Sequence, residues 1–177
     1  MSTHSTTSSS LPDIFSHPTH LKFKQGRLFA TSISATSEIN APQPLVWQVL
    51  VNLETYGDWN PFTTSVCGSL SAGEPVILNV DMPGRSKSVR TEWVNLVNPP
   101  HTLCWGMQLI HRSLLVSNRW QSLSLLKDGR TEYRTTNYFS GLLAPLVLAL
   151  YGNPMQKGFQ SVANALKDFV ESRQAAS

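Results

Sequence analysis

Cysteine, charge and long apolar runs are all scarce in this chain. Its 177 residues include 2 cysteines, Cys67 and Cys104, both in strand-like segments and too few for a disulfide framework. Reduced, buried thiols are expected, with a single bridge left open. The 5 histidines, His4, His17, His20, His101 and His111, are scattered, so no zinc-type spacing exists and no metal is expected. Charged residues make up 14% of the chain, and 14 basic against 11 acidic side chains leave a formal charge of +3. Lys22, Lys24 and Arg27 form the one tight basic group in the first half. That is no stripe of cations with interleaved aromatics, and nucleic acid is not an expected partner. The longest apolar run, Leu142 to Tyr151, is about half the ~20 residues a bilayer-crossing helix requires, so stable membrane insertion is not expected. The Ser/Thr-rich N-terminus has no apolar signal core, which favours a cytoplasmic location. A G-x-S-x-G elbow, a glycine-rich phosphate loop and an H-E-x-x-H pair are also missing, and no cofactor is expected.

What is present fits one domain of a size that buries about 68–70% of its unfolded surface. Residues 1–27 read as a flexible tail, MSTHSTTSSSLP, followed by a connector from Asp13 to Arg27; residues 28–173 form the domain and 174–177 a C-terminal tail. Leu28–Asn40 reads as the first strand, with Phe29, Thr31 and Ile33 alternating and Ile39 closing it. A helix over Pro44–Val51 follows, with Val46, Trp47, Val49 and Leu50 at helical spacing and prolines where the first turn needs no N–H, then a helical turn near Leu53–Tyr56. Strand-like runs at 62–71, 75–82, 86–98, 102–110, 114–126 and 130–140 are separated by turn residues and suggest a meander of antiparallel hairpins. The last element, Leu142 to Arg173, carries Phe159, Val162, Ala163, Leu166, Phe169 and Val170 on one stripe. Gly152-Asn153-Pro154 is expected to break it into a short apolar piece and a long amphipathic one.

The order Ile39, Ala41, Pro42, Val46, Trp47, Leu50 and then Trp59-Asn60-Pro61-Phe62 resembles the opening of the START-like helix-grip superfamily, the SRPBCC or polyketide cyclase/dehydrase-like group. FSGLLAPL at 139–146 and GFQSVANALKDFVE at 158–171 resemble that group's last strand and closing helix, so the likeness spans roughly 33–172. It implies an α+β helix-grip fold: a curved antiparallel sheet of about seven strands wrapped around a long C-terminal helix, with two short helices after the first strand. It also implies an elongated apolar cavity between sheet and helix, where relatives hold their ligands.

Alternation within strands then selects candidates. In the last strand Tyr133, Thr135, Asn137 and Phe139 share a face; in the one before, Asn118 and Trp120 do; at 102–110, Leu103, Trp105, Met107 and Leu109 do. Many relatives are expected to carry His where Asn118 stands, and His and Glu where Thr135 and Asn137 stand. This chain is neutral at all three, so those strands offer hydrogen bonds but no general acid or base, or simply satisfy one another. Arg90 and Glu92 lie on one face of the 86–98 strand with Val94 and Leu96, and Val89, Thr91 and Trp93 lie on the other. If the first face is inward, the pair can bind a developing anion and exchange a proton; if outward, both are solvated charges flanking a buried Trp93. Tyr151 is a candidate donor at the cavity, while Asp58 at a turn and His111 at a hairpin bend have ordinary surface explanations.

The expectation is a cofactor-free cyclase, dehydratase or isomerase acting on a hydrophobic polyketide-like or related specialised metabolite. Glu92, Arg90 and Tyr151 are its catalytic candidates, and Trp59, Trp105, Asn118, Trp120, Tyr133, Thr135, Asn137 and Phe139 its binding candidates. The alternative is a non-catalytic carrier or sensor of a lipid or other hydrophobic small molecule. A homodimer is left open, and no outer patch marks a protein-interaction module.

Overall fold

The computed structural model describes residues 30–111 and 113–175. The expected tail and connector at 1–27 and the first two residues of the domain lie outside the described residues. β1 (Ala30–Ile39) leads into α1 (Gln43–Val51) and α2 (Tyr56–Trp59), followed by β2 (Thr63–Gly68), β3 (Pro75–Val80), β4 (Ser88–Asn98), β5 (Thr102–Leu109), β6 (Leu115–Leu125) and β7 (Thr131–Ser140), and then α3 (Ala144–Ala175). The strands form one seven-stranded sheet in the order β1-β7-β6-β5-β4-β3-β2, antiparallel throughout. This is the helix-grip arrangement. The meander from β2 to β7 follows from short turns between alternating strands, and the long link through α1 and α2 carries β1 across to pair with β7.

Local chemistry explains the link. Pro42 is extended at the N-cap of α1 and Pro44 fits its first turn, where no helical N–H is required. After α2, the buried Asn60 side chain accepts the backbone N–H of Phe62 at 3.0 Å and of Thr63 at 2.7 Å. That local turn converts Trp-Asn-Pro-Phe from a helix end into the start of β2, which Pro61 helps by barring further helix. The second short helix is Tyr56–Trp59, where the sequence suggested Leu53–Tyr56, because the Asn60 turn sets the stop.

α3 lies against the concave face and along β1, burying Phe159, Val162, Ala163, Leu166 and Val170. Ser37 Oγ donates to Ala163 O at 2.7 Å and Gln156 Nε2 to Ser34 O at 2.9 Å, which pins the helix to the edge strand. The expected break does not occur. α3 runs through Gly152-Asn153-Pro154 and on past Arg173 through Gln174 and Ala175. The carbonyl that Pro154 cannot serve, Leu150 O, instead accepts from Arg85 Nη2 in the β3–β4 turn, and the Arg85 guanidinium stands 4.8 Å over the Tyr151 ring. An outside donor thus replaces the missing helical one.

The cysteines are both free, with Cys104 buried and Cys67 exposed. Exposure of Cys67 departs from expectation because β2 is an edge strand and Cys67 sits on its outer side, paired with the 47%-exposed Ile77. Two strands separate β2 from β5, so the thiols are roughly 14 Å apart at the ~4.8 Å strand spacing, out of bonding range.

Candidate functional site

A cavity of about 190 Å³ lies between α3 and the concave face of β3 to β7. Its wall is mostly apolar, from Phe62, Leu78, Val80, Met107, Leu115 and Phe139, with Tyr151, Met155 and Phe159 of α3 closing one side. Into this wall the strands insert five polar groups of consequence: Arg90, Glu92, Ser117, Arg119 and Asn137.

The inward set of β4 is Arg90 and Glu92, so the first of the two faces left open by the sequence is the one that lines the cavity. Val89 and Trp93 are 68% and 47% exposed on the outer face, so Trp93 is not a buried anchor. The shared face does not extend to Leu96. A bulge between Val94 and Leu96 shifts the β4–β5 register, pairing Leu96 with Cys104 and turning Val97 to the core.

Burial pushes the Glu92 carboxyl up to about 7, while the charges of Arg119 and, less strongly, Arg90 oppose that rise. A carboxyl so poised holds a proton about half the time at neutral pH. It can therefore give or take one without a large energetic penalty.

Arg119 is the residue the sequence reading missed. It is 5% exposed, donates from Nε to Thr135 Oγ1 at 3.1 Å, and has its guanidinium 4.7 Å from the Phe159 ring centroid and 5.8 Å from that of Phe62. Its Nη2 is buried without a partner, and so is Nε1 of Trp105, which is fully buried in the same cavity wall. Asn118 and Trp120, expected to face the ligand, are on the outer side of β6: Asn118 Oδ1 accepts from Asn95 Nδ2 at 3.1 Å, and Trp120 pairs with Cys104 and Thr136. The cause is register. The hairpin at 126–130 opposes Leu125 to Thr131, which sets Asn137 opposite Arg119 and Thr135 opposite Gln121. With Tyr133, Thr135 and Asn137 inward, Arg119 must be inward too. Counting back across that turn was the available signal, and the bulk of Trp120 pointed the other way.

The other candidates divide between wall and backing. Asn137 Nδ2 donates to Ser117 Oγ at 2.8 Å, and both residues line the cavity with Phe139, Trp105 and Tyr151. Thr135 and Tyr133 are fully buried behind the wall: Thr135 holds Arg119, and Tyr133 Oη donates to Gln121 Oε1 at 2.8 Å. Tyr56 Oη reaches the same oxygen at 3.3 Å. Burial raises both phenols, so neither ionises near neutrality. Trp59 is buried against Tyr56, ring centroids 4.9 Å apart, and is core rather than cavity wall. Asp58 is exposed; His111 is exposed as well, with Nδ1 2.7 Å from Ser113 Oγ. Burial pushes the Cys104 thiol up to about 12, which makes it inert.

The family described as polyketide cyclase / dehydrase and lipid transport matches residues 30–171, nearly the whole described domain. The chain belongs to this family. No curated protein sequence matches it. Among solved structures it is similar to the Zhui aromatase/cyclase from Streptomyces sp. R1128, at 20% identity and a TM-score of 0.66, covering 82% of this chain and 96% of that one. It is also similar to a truncated norcoclaurine synthase from Thalictrum flavum, at 13% identity and a TM-score of 0.62 over 82% and 96% of the two chains. A protein from Nitrosomonas europaea, at 15% identity and a TM-score of 0.62, covers 81% and 96%. At these identities the likenesses establish the shared helix-grip fold. Among the described residues of this family member, no helix is long and apolar enough to cross a membrane.

Proposed function

We propose that this family member is a cofactor-free cyclase, dehydratase or isomerase that acts on a hydrophobic, carbonyl-bearing metabolite of polyketide-like character. The observation that carries this reading is Glu92: a carboxyl raised to about 7, set in an apolar cavity wall and opposed by two guanidiniums. In such a site Glu92 removes a proton next to a substrate carbonyl, the developing enolate is stabilised by Arg90 and Arg119, and the protonated Glu92 then returns the proton to a carbon or a departing hydroxyl. Electrostatic stabilisation of the oxyanion and confinement of a flexible substrate supply the rate. Tyr151 stands at the cavity edge as a hydrogen-bond donor to the same oxygen. Dehydration and aldol-type closure both proceed through these proton transfers, which is why the reading names a reaction group.

The alternative of a lipid carrier or sensor draws on the family description, which includes lipid transport, and on the self-satisfied Asn137–Ser117 pair. Cavity size weighs against a bulky lipid. A space of about 190 Å³ is little larger than the ~150 Å³ that encloses benzene and below the ~300–1,000 Å³ of typical ligand pockets. It suits a one- or two-ring molecule, or one end of a longer chain.

Native mass spectrometry of the protein purified from its source, with identification of whatever is released on denaturation, supplies the test molecule. A recovered cyclised product or its precursor, converted by the protein but not by Glu92→Gln at similar affinity, supports the enzyme. A stoichiometric fatty acid or sterol left unchanged by incubation, with Glu92→Gln without effect, supports the carrier and rejects the proposal.

A further inference from the structure

The solvent face of α3 changes character along its length. From Gln156 onward its exposed residues are polar, as at Lys157, Gln160, Asn164 and Asp168. Before that point no charged residue occurs from Ser140 to Gln156, and the outward positions are apolar. Leu146 and Leu150, one turn apart on α3, are 54% and 49% exposed, and Leu142 in the turn leading into the helix is 53% exposed. The inward side of the same turns is apolar too, with Val147 and Tyr151 in the cavity wall. A helical segment that is apolar all round is one that something covers.

Two loops flank this ridge. Leu142 N donates to Ser113 O at 2.9 Å, which sets the β5–β6 hairpin at one end, and the Arg85 hydrogen bond to Leu150 O sets the β3–β4 turn at the other. The hairpin carries Ile110, 88% exposed and held at a φ of 48°, where a β-branched side chain is strained. Folding gains nothing from an isoleucine there. The β3–β4 turn carries Arg85 and Lys87, and its one acid, Asp81, is already paired with Lys87 at 3.2 Å. The chain also enters at this end, since Ala30 pairs with Ser140. In sequence Lys22, Lys24 and Arg27 lie three to eight residues before Ala30, with no acid between Asp13 and Glu38, so a basic group is tethered beside the ridge.

We propose that this end of the domain rests on an anionic lipid surface, with Ile110, Leu142, Leu146 and Leu150 in the boundary between headgroups and acyl chains and the basic side chains against the lipid phosphates. The proposal goes beyond the reaction proposed above and does not depend on Glu92. Charge selects the occupant. An aliphatic ridge fringed by cations complements a negative layer with an apolar interior, whereas hot spots between proteins draw on Trp, Tyr and Arg and seldom on Leu. Met82 of the β3–β4 turn lines the cavity as Val147 and Tyr151 do, so a hydrophobic substrate dissolved in the bilayer meets the cavity rim directly.

The experiment is cosedimentation of the full chain with vesicles of phosphatidylcholine alone and of about two parts phosphatidylcholine to one of phosphatidylglycerol. Anionic vesicles are expected to bind about tenfold or more tighter than neutral ones, and added salt to shrink the difference. Leu146→Gln combined with Leu150→Gln should cost about tenfold or more. Lys22→Gln, Lys24→Gln and Arg27→Gln together should remove most of the anionic preference. Ile110→Asn relieves the strained φ and so keeps the fold, yet should cost several-fold. Leu125→Gln, at the far end of β6 where the side chain is 64% exposed, should cost nothing. Failure to bind anionic vesicles, or binding indifferent to both the leucine pair and Ile110, would overturn the proposal. So would a dimer in sedimentation velocity that the leucine substitutions abolish, without vesicle binding, since that gives the ridge to a second copy of the chain. Failure of the catalytic reading looks different: Glu92→Gln would leave the fate of the native ligand unchanged while vesicle binding persisted.

Discussion

Glu92→Gln should make this protein more stable, and only above a definable pH. In the folded protein the carboxyl is raised from its ordinary 4.5 to about 7. The folded state therefore holds more protons than the unfolded chain between those values, and raising the pH through that window destabilises it. The difference, 7 − 4.5 or about 2.5 units, sets a ceiling of ~3 kcal/mol at about 1.4 kcal/mol per unit. Because the side chain borders a cavity and is only partly withdrawn from solvent, a cost on the order of 1–2 kcal/mol is the working figure. Glutamine mimics the protonated carboxyl at every pH and removes this cost. Urea unfolding of wild type and variant from pH 4 to 9 isolates the effect, since every other titrating group cancels in the difference. The variant's advantage should be near zero below pH 4.5, grow between 4.5 and 7, and level off above about 7.5. A difference that does not change with pH would show that Glu92 titrates as an ordinary carboxylate, and the acid-base argument for the site would go with it.

Three other outcomes are expected. Gly158→Ala places a Cβ 2.2 Å from Cδ2 of Phe62, whose ring packs edge-on against Phe159 at 5.4 Å, so the displaced ring should cost about 1–3 kcal/mol in a chemical unfolding curve. Titration of the native protein with a thiol reagent should modify one sulfur rapidly, Cys67, and the second only on unfolding, because Cys104 is buried with a thiol raised to about 12. Asn118→Ala should leave the affinity for the molecule recovered with the protein unchanged within about twofold while Asn137→Ala shifts it, as isothermal titration would read, since only the second side chain lines the cavity.

The fold was legible because its signals are local and redundant. Pro42, Pro44 and the Asn60-Pro61 turn each mark a boundary with a backbone property, and the stripe from Phe159 to Val170 could serve no purpose but burial. Pro154 misled for the complementary reason. The helix break it signals is local, whereas the donor that repairs it, Arg85, lies in the β3–β4 turn far away in sequence. Inward direction was harder to read, because it depends on which of two alternating sets pairs with the neighbouring strand. In β4 the outer set contains Val89 and Trp93 and the inner one Arg90 and Glu92, so hydrophobicity alone selects the wrong face. β6 repeats the inversion with Trp120 outside and Arg119 inside. Functional polar groups in an apolar cavity break the pattern by which a cavity face is recognised, and hairpin register is what recovers it.

Arg85 joins two parts of the cavity rim that no other described contact of its own turn ties to α3 as a hydrogen bond and a ring contact together. Met82 of the β3–β4 turn and Tyr151 of α3 both border the cavity, and the hydrogen bond to Leu150 O with the stacking on Tyr151 ties turn to helix there. Parting them breaks one charge-assisted hydrogen bond and one exposed cation–π contact, together ~2–4 kcal/mol. At that cost the parted form makes up between a few per cent and about one in a thousand molecules, so the tie between turn and helix at the rim rests on a single surface arginine. Replacing Pro154 with alanine would offer Leu150 O a helical N–H of its own. The substitution that heals the helix is thus expected to loosen the turn from it, read as faster amide hydrogen exchange in the β3–β4 turn.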